Sequence, residues 1–233
     1  MANFLLIAAS STIGKATTTV LKNAGHHVFT TARSAQKILP DAILDASDFD
    51  QMDAVFEKAQ EKLGSLDGVV NFSGGLLLKP AHLVTKTQYE EVIQSSLTTA
   101  FATVRSAGKF MTSGGSVVLI SSSAASIGLS NHEAIASAKA GIIGLMLSAA
   151  ATYAPKNLRF NVVSPGLVET DLTQRITRNP ASLSYSLGMH PLGRIGHPLD
   201  IARAVAFFLD PQNSWITGQV LNVDGGLGSL KAK

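Results

Sequence analysis

Three side-chain types suited to binding and protonating oxygen occur close together in the middle of the sequence. Ser121, Ser122 and Ser123 end the apolar run GGSVVLI, and His132 and Lys139 follow in the segment HEAIASAKAG. A hydroxyl can orient a carbonyl oxygen, an ammonium can stabilise negative charge, and an imidazole can transfer a proton. On a helix, positions 132, 135 and 139 lie along one face, but residue 135 is Ile, which cannot donate a proton.

Each of these residues also has a structural interpretation. The serines are typical of the turn that ends a strand, and Lys139 could extend its ammonium to solvent. The segment SNHE offers Ser130 as an N-cap and Glu133 three residues later, which predicts a capping box and makes His132 a solvent-facing residue of the first helical turn. At 1.5 Å rise per residue, His132 lies roughly 10 Å along the axis from Lys139.

A second candidate site follows the first apolar run, where the sequence reads AASSTIG. A dinucleotide diphosphate binds to backbone N–H groups at a helix N-terminus, with few side chains in the way. Only one glycine is present in this turn, so an ordinary strand-to-helix turn is the alternative. The residues expected to contact cofactor here are Ser10, Ser11, Thr12, Ile13 and Gly14.

The next two apolar runs end in charged residues. Arg33 ends TTAR, where an arginine favours the 2′-phosphate of NADP(H) and an acidic residue would favour NAD(H). Asp45 ends ILD, where it could contact the adenine edge or cap a helix. A solvated surface arginine is the alternative for Arg33.

Short apolar runs alternate with helical patterns along the chain, which predicts a doubly wound parallel sheet with helices on both faces. The strands are predicted in NFLLIAAS, HHVFTTAR, LDGVVNFSGG, GGSVVLISSS, LRFNVVSPG and TGQVLNVDGG. Long helices are predicted over residues 89–111 and 130–154, and a further helix over 198–209. We interpret residues 1–233 as a single α/β domain whose ligands lie beyond the carboxyl ends of the strands.

Composition excludes several classes of protein. The chain has no cysteine, which excludes disulfides and thiolate chemistry, and its six histidines show no metal-ligand spacing. The net charge of +3 is small and its basic residues are scattered, so no nucleic-acid interface is predicted. The first apolar run is too short to cross a membrane. We therefore expect a cytoplasmic protein with no metal, nucleic-acid or membrane partner.

Several motifs resemble those of the short-chain dehydrogenase/reductase family, and they span nearly the whole chain. They are NFSGG, VVLISSSAASIG, AKAGIIGL, LRFNVVSPGLVETDL and PLGRIGHPLDIARAVAFFLDPQNSWITGQVLNVDGG. The resemblance implies a Rossmann-type sheet of about seven strands, a nicotinamide cofactor, and assembly as a homodimer or homotetramer.

The resemblance also assigns roles to residues. It implies that Ser122 orients the substrate carbonyl and that Lys139 holds the nicotinamide ribose. It places Thr170 near the nicotinamide amide, within a loop-rich lid over residues 168–197 whose Tyr185, Met189 and His190 could reach a small-molecule substrate. The other positions it assigns to the cofactor are Asn71, Gly74, Pro165, Gly166 and Val168.

The chain departs from the family pattern where chemistry is expected. Ile135 takes the place of the catalytic tyrosine, Ser96 that of a helix asparagine, and Phe72 that of the asparagine in an Asn-Ala-Gly turn. Ala8 and Thr12 replace the first two glycines of the phosphate turn. His132 lies seven residues before Lys139, the spacing of the tyrosine in the enoyl-reductase branch, which makes it the candidate substitute proton donor.

Three functions remain open on these residues. The first is an NADP(H)-dependent oxidoreductase acting on a small carbonyl or an activated C=C bond with a degenerate catalytic tetrad. The second is a non-catalytic cofactor-binding or scaffold protein of the same fold. The third is a non-redox enzyme, such as a dehydratase or isomerase, built in the same pocket.

Overall fold

Seven parallel strands form one sheet, in the order β3-β2-β1-β4-β5-β6-β7, in a computed structural model that describes residues 1–231. Positions 232–233 of the predicted domain lie outside the described residues. The strands are β1 Asn3–Ile7, β2 His27–Ala32, β3 Ala42–Ile43, β4 Gly68–Asn71, β5 Gly115–Ile120, β6 Leu158–Pro165 and β7 Val220–Val223. The doubly wound parallel sheet predicted from the sequence is confirmed, with Leu5 paired to Val69 and Val69 to Val117 across its centre.

Eight α-helices occur in this part of the chain, and those outside the lid surround the sheet. They are α1 Thr12–Asn23, α2 Phe49–Leu63, α3 Lys86–Ile93, α4 Thr99–Phe110, α5 Glu133–Tyr153, α6 Gln174–Thr177, α7 Pro180–Met189 and α8 Pro198–Leu209. Shorter 3-10 turns occupy Ala81–Leu83, Ser123–Ala125, Ala154–Lys156, Asp171–Thr173 and Pro211–Asn213.

Alternation along each strand divides the core into two layers, because successive side chains point to opposite faces of the sheet. Leu5 and Val69 pack in the layer with α2, α4 and α5, whereas Phe4 and Val70 pack in the layer with α1 and α8. The strands are therefore apolar on both faces, as parallel strands covered by helices must be. This frame fixes the strand ends from which the site is built.

The helix predicted over residues 89–111 begins earlier and is interrupted. It runs from Lys86 to Ile93, passes through a π-helical turn at Gln94–Thr98, and continues as α4. The Thr99 hydroxyl lies 3.2 Å from the Ser95 carbonyl oxygen and 3.0 Å from that of Ser96. Such turns insert one residue and are common at functional sites.

The capping box predicted at Ser130 and Glu133 is wrong. Helix α5 begins at Glu133 with His132 as its N-cap, and no side chain caps it. Asn131 adopts a left-handed φ of 64°, so the chain turns between Ser130 and the helix. The Ser130 carbonyl instead accepts a hydrogen bond of 2.7 Å from Nδ1 of His132.

The stretch 133–156 has the length and mean hydropathy, 24 residues and 1.6, of a membrane span. It is the one such helix among residues 1–231. Its buried face, which includes Ile142 and Met146, packs in the same core layer as Leu119 and Phe160 of the sheet. Packing against the sheet therefore accounts for its apolar composition.

The predicted lid over residues 168–197 is more helical than its composition indicates, since it contains α6 and the ten-residue helix α7. Asn179 caps α7 by accepting a hydrogen bond from the backbone N–H of Ser182, and Pro180 occupies its first turn. Val168 and Gly196 form a parallel bridge that joins the two ends of the lid.

Candidate active site and cofactor crevice

Lys139 is a buried cation at the carboxyl end of β5. Its side chain donates a hydrogen bond of 2.9 Å from Nζ to the carbonyl oxygen of Ile120, and the residue is 7% exposed. Within residues 1–231 no carboxylate pairs with it. Burial lowers the pKa of Lys139 to about 8. An ammonium held in this way is available to a ligand that brings hydroxyls or negative charge.

The three serines that follow β5 have different roles. The Ser121 hydroxyl donates 2.8 Å to the carbonyl oxygen of Lys139, and the Ser123 hydroxyl donates 2.8 Å to Oδ2 of Asp224. Both are buried and belong to the packing of the site. The Ser122 oxygen accepts from the backbone N–H of Ala124 at 3.2 Å, which leaves its hydroxyl proton available. Of the three, Ser122 is the one free to donate to a substrate oxygen.

Ile135 occupies the position where the family has its proton-donating tyrosine. It is 4% exposed and clusters with Val92 and Ala138, with Leu77 and Ile93 packed around them. The side chain is therefore part of a small apolar core between α3 and α5. It has no acidic proton to donate and no polar atom to which a water molecule could bond.

The structure does not bring His132 to Lys139. Nδ1 of His132 is used by the Ser130 carbonyl, and the residue is the N-cap of α5. No hydrogen bond or ion pair in the described part of the chain joins it to Ser122 or Lys139. Seven residues of helix separate the two groups, as the sequence spacing requires.

The phosphate turn keeps its backbone shape without its usual glycines. Ala8 has a φ of 56°, a left-handed conformation that an alanine adopts only at a cost of roughly 1–2 kcal/mol. Ser11 caps α1 through a 3.0 Å bond from the N–H of Gly14. A methyl on Gly14 would lie 2.8 Å from Cα of Ala9, so a glycine is required there. Ser10, Thr12 and Ile13 are half-buried along the same turn.

Arg33 and Asp45 follow β2 and β3, at the opposite side of the sheet from β6 and β7. Both residues line a cavity of about 560 Å³. The cavity is lined by Arg33, Asp45, Ser47, Gly75, Leu76, Leu77, Gln88, Glu91, Val92, Gln94, Ser95 and Thr99. The N–H and hydroxyl of Ser47 and the charge of Arg33 hold the pKa of Asp45 below its usual value. The exposed guanidinium of Arg33 is thus free to meet an anion.

Asn71 acts within the protein and does not present its side chain to a ligand. Its Nδ2 donates to the Thr99 carbonyl and the Thr103 hydroxyl, both at 2.9 Å, and its Oδ1 accepts from the N–H of Ser73 at 2.7 Å. The side chain of Asn71 is therefore not available to the cofactor, and contact through its backbone stays a prediction. Its role is to fix the turn that carries Gly74.

Gly74 and Ser96 lie beside the ammonium of Lys139. A methyl on Gly74 would come 3.2 Å from Nζ of Lys139 and 3.9 Å from the Ser96 hydroxyl oxygen. Ser96 lies in the π-helical turn, is 1% exposed, and its hydroxyl has no protein partner in the structure. A buried hydroxyl without a partner, next to a residue without a side chain, indicates that a polar group of a ligand could bind here.

The residues after β6 support the lid. A methyl on Gly166 would lie 2.8 Å from Nε2 of His190, so only glycine permits this approach. Nε2 of His190 accepts from the N–H of Leu167 at 3.2 Å, and Nδ1 donates to the Ser186 carbonyl at 2.6 Å. His190 is 3% exposed, which contradicts the expectation that it reaches substrate. It anchors the lid instead.

The remaining lid residues differ in exposure. Thr170 shares a 3.0 Å hydrogen bond with Thr173, and Val168 is 3% exposed. Tyr185 is 72% exposed, and Met189 is half-buried. Pro165 is buried at the end of β6. Gly166, Val168 and Thr170 thus follow directly on Pro165, the last residue of β6, while Tyr185 faces solvent.

The residues of this crevice fit a nicotinamide nucleotide. The bare backbone of Gly74 leaves space beside the ammonium of Lys139, and a cavity of about 560 Å³ lies beside Arg33. Within residues 1–231 no group of three or more His, Asp or Glu side chains is placed to hold a metal ion.

Comparison with known proteins agrees with this geometry. A sequence model described as enoyl-(acyl carrier protein) reductase matches residues 7–228. The chain belongs to the short-chain dehydrogenase/reductase family. It is 32% identical over 240 residues to a 3-oxoacyl-(acyl-carrier-protein) reductase of Thermotoga maritima, with 96% of each chain covered.

Solved structures of the same fold extend the comparison. A short-chain type dehydrogenase/reductase from Mycobacterium ulcerans superposes with a TM-score of 0.93 at 27% identity, covering 99% of this chain and 91% of that one. ElxO with NADP bound superposes with a TM-score of 0.90 at 27% identity, covering 99% and 100%. The fold and the oxidoreductase family of this dehydrogenase/reductase are therefore established.

Two features of this family member are not evident from local sequence patterns. One is the left-handed backbone at Ala8, where only the family comparison, which places a glycine at this position, indicates it. The other is the contact of Asp171 with Thr12 and Lys37, which joins residues more than 130 positions apart. Neither has a local pattern from which it could be found.

Proposed function

We propose that this protein is an NADP(H)-dependent oxidoreductase that acts on a small carbonyl or an activated C=C bond. The observation that carries the proposal is the buried Lys139 ammonium, which lies beside the bare backbone of Gly74 and has no carboxylate partner among the described residues. A buried cation is costly, and it is retained where a ligand offsets that cost.

The bound cofactor would supply the hydride, and the chain's own residues bind and orient. Lys139 would hold the ribose hydroxyls, and Ser10, Ser11, Thr12, Ile13 and Gly14 would bind the diphosphate through the turn and the start of α1. Arg33 would hold the 2′-phosphate, which favours NADP(H) over NAD(H). Ser122 would orient the substrate by donating a hydrogen bond from its hydroxyl to the substrate oxygen.

Proton supply is the weak point of the site. Loss of a positioned acid typically costs about 10²–10⁴-fold in rate. Ile135 cannot fill this role, and His132 is held away at the N-cap of α5. Lys139 is the remaining ionisable group at the end of β5, the strand that Ser122 follows. With a pKa of about 8, it is mostly protonated at neutral pH. We therefore expect slow reduction of ordinary ketones.

The names of the relatives support this substrate class. The matched family model and the Thermotoga maritima relative are named for acyl-carrier-protein substrates with a C=C bond and a 3-oxo group. In such substrates the thioester withdraws electrons from the reacting bond. An activated substrate of this kind needs less help from an enzyme acid than a plain ketone does.

The second candidate is a cofactor-binding protein without turnover. It is favoured by the burial of Ile135 in its own apolar cluster, which leaves no acid at that position. This candidate predicts nucleotide binding with the same preference but no oxidation of NADPH in the presence of any carbonyl or enoyl substrate.

Calorimetric titration with NADPH and NADH tests the proposal. We expect Arg33→Met to weaken NADPH binding by about 10-fold or more and to leave NADH binding unchanged, because a charge-assisted hydrogen bond is lost. Arg203→Met on α8 is the matched control. If the wild-type protein binds neither nucleotide, the proposed function is wrong. NADPH oxidation over a panel of ketones, quinones and enoyl thioesters then separates the two candidates.

We also propose that the protein is a cytoplasmic homodimer or homotetramer. The edge of the sheet at β7 and the neighbouring end of α8 carry exposed apolar side chains: Phe207, Trp215, Val220 and Leu221. Trp215 is 99% exposed, which is unusual for a tryptophan that meets only water. A partner copy that covers this edge would bury them.

A further inference from the structure

Three segments far apart in the sequence meet at Asp171, in the first turn of the lid. Its backbone N–H donates to the hydroxyl of Thr12 in the phosphate turn at 3.2 Å, and its carboxylate accepts from Nζ of Lys37 at 2.6 Å. Lys37 belongs to the loop that follows Arg33 at the end of β2. These contacts tie the lid to the two segments that would bind cofactor phosphates.

The carboxylate of Asp171 would repel a bound nucleotide. The backbone of Asp171 is held at Thr12, so its negative charge lies near the turn that would bind a diphosphate. In the structure it is balanced by basic groups, since Lys37, Lys15 and Arg178 hold the pKa of Asp171 below its usual value. An arriving phosphate would compete with this carboxylate for the same cations.

Lys37 is suited to change partners. Its side chain is 55% exposed and that of Asp171 is 51% exposed, so their ion pair is solvated and weak. Lys37 lies four residues beyond Arg33, the residue placed at the 2′-phosphate, and its long side chain can turn toward the same anion.

We propose that Lys37 is a second determinant of the preference for NADP(H), and that it exchanges the carboxylate of Asp171 for the 2′-phosphate when the cofactor binds. This inference rests on the proposed function. The exchange would release the first turn of the lid from Lys37. NADPH would therefore break the ion pair between Lys37 and Asp171, whereas NADH, which lacks the 2′-phosphate, would leave it intact.

The test is titration of four proteins with NADPH and NADH at low ionic strength: wild type, Lys37→Met, Asp171→Asn and the double variant. We expect Lys37→Met to weaken NADPH binding by about tenfold and NADH binding by less than twofold. Asp171→Asn should tighten NADPH binding about threefold or more. In the double variant this gain should shrink, because no lysine remains to be released. Lys22→Met, at the end of α1, is the matched control.

Other outcomes overturn the inference. If Lys37→Met changes both nucleotides equally or neither, or if Asp171→Asn weakens NADPH binding, partner exchange does not occur. If Arg33→Met abolishes the preference while Lys37→Met leaves it intact, the proposed function stands and this inference fails. If the wild type binds neither nucleotide, both fail. Thermal melting of each variant confirms that it is folded.

Discussion

The hydroxyl of Ser121 donates a hydrogen bond of 2.8 Å to the main-chain oxygen of Lys139, and the side chain of Lys139 returns one of 2.9 Å to the carbonyl of Ile120. The end of β5 and the first turns of α5 are thus joined through both the backbone and the side chain of one lysine. This double contact fixes the ammonium before any ligand arrives, and it lets the energetic cost of that ammonium be measured.

Replacing Lys139 with methionine should stabilise the protein while removing cofactor binding. Burial lowers the lysine pKa from 10.5 to about 8, which corresponds to a penalty of about 3 kcal/mol for the charged form. We expect Lys139→Met to raise the free energy of unfolding at pH 7 by about that amount, as measured by urea denaturation. Lys15→Met, at an exposed site, should not raise it.

The same pKa predicts how stability depends on pH. The folded pKa lies below the unfolded value, so the unfolded chain binds more protons between about pH 8 and 10.5. The contribution of Lys139 to stability therefore rises with pH across this window and is constant below it. The difference in unfolding free energy between Lys139→Met and wild type should shrink as pH rises from 7 to 10. A difference that stays constant would mean that the lysine is not desolvated.

Restoring a phenol at position 135 should increase carbonyl reduction. Ile135→Tyr places an acid four residues before Lys139, and a positioned acid contributes about 10²–10⁴-fold in rate. Steady-state NADPH oxidation with a ketone substrate measures the gain. Ile135→Phe supplies the ring without the hydroxyl and is the matched control. Equal rates for the two variants would show that the site lacks more than its acid.

Glycine at position 8 should relieve backbone strain in the phosphate turn. Ala8 has a φ of 56°, and the gain from removing its Cβ exceeds the entropy that glycine costs in the unfolded chain. We expect Ala8→Gly to raise the free energy of unfolding by about 0.5–1 kcal/mol in thermal or denaturant unfolding. Ala24→Gly, where φ is −81°, should give no gain. A destabilised Ala8→Gly protein would rule out strain at this residue.

Removing the exposed tryptophan should weaken assembly. Trp215→Ser deletes the most exposed large apolar side chain near β7, and we expect the variant to sediment as a smaller species than wild type at equal concentration. Tyr185→Ser, which alters an exposed aromatic of the lid, is the control. A wild-type protein that sediments as a monomer at micromolar concentration would contradict the proposed assembly.

The sheet could be predicted from the sequence because it depends on patterns that lie within a few residues. The apolar runs around Leu5, Val69 and Val117 and the glycine at the end of α2 each mark their own element. Ser122 and Arg33 could be placed for the same reason, since each follows a strand end that is visible in the sequence, whereas Lys139 was placed by its position in the helix after β5.

Contacts between distant segments could not be predicted in this way. His190 was expected to reach substrate, but it bonds to Leu167 and Ser186 inside the fold. The side chain of Asn71, a residue predicted at the cofactor, bonds to Thr99, Thr103 and Ser73 within the protein. In both cases a polar residue near the site serves the packing of its neighbours, and only tertiary structure distinguishes these roles.

The bridge between Val168 and Gly196 has a consequence for how this protein can change. Because hydrogen bonds join the two ends of the lid, from Glu169 to Gly196 and from Gly196 to Leu167, residues 169–195 between them start and end at fixed positions beside the sheet. Segments of other lengths and sequences could be grafted between the same two anchor points without disturbing the sheet. Evolution or an engineer could thus alter which molecules the crevice admits, provided that Asp171 keeps its contacts with Thr12 and Lys37 at the nucleotide end.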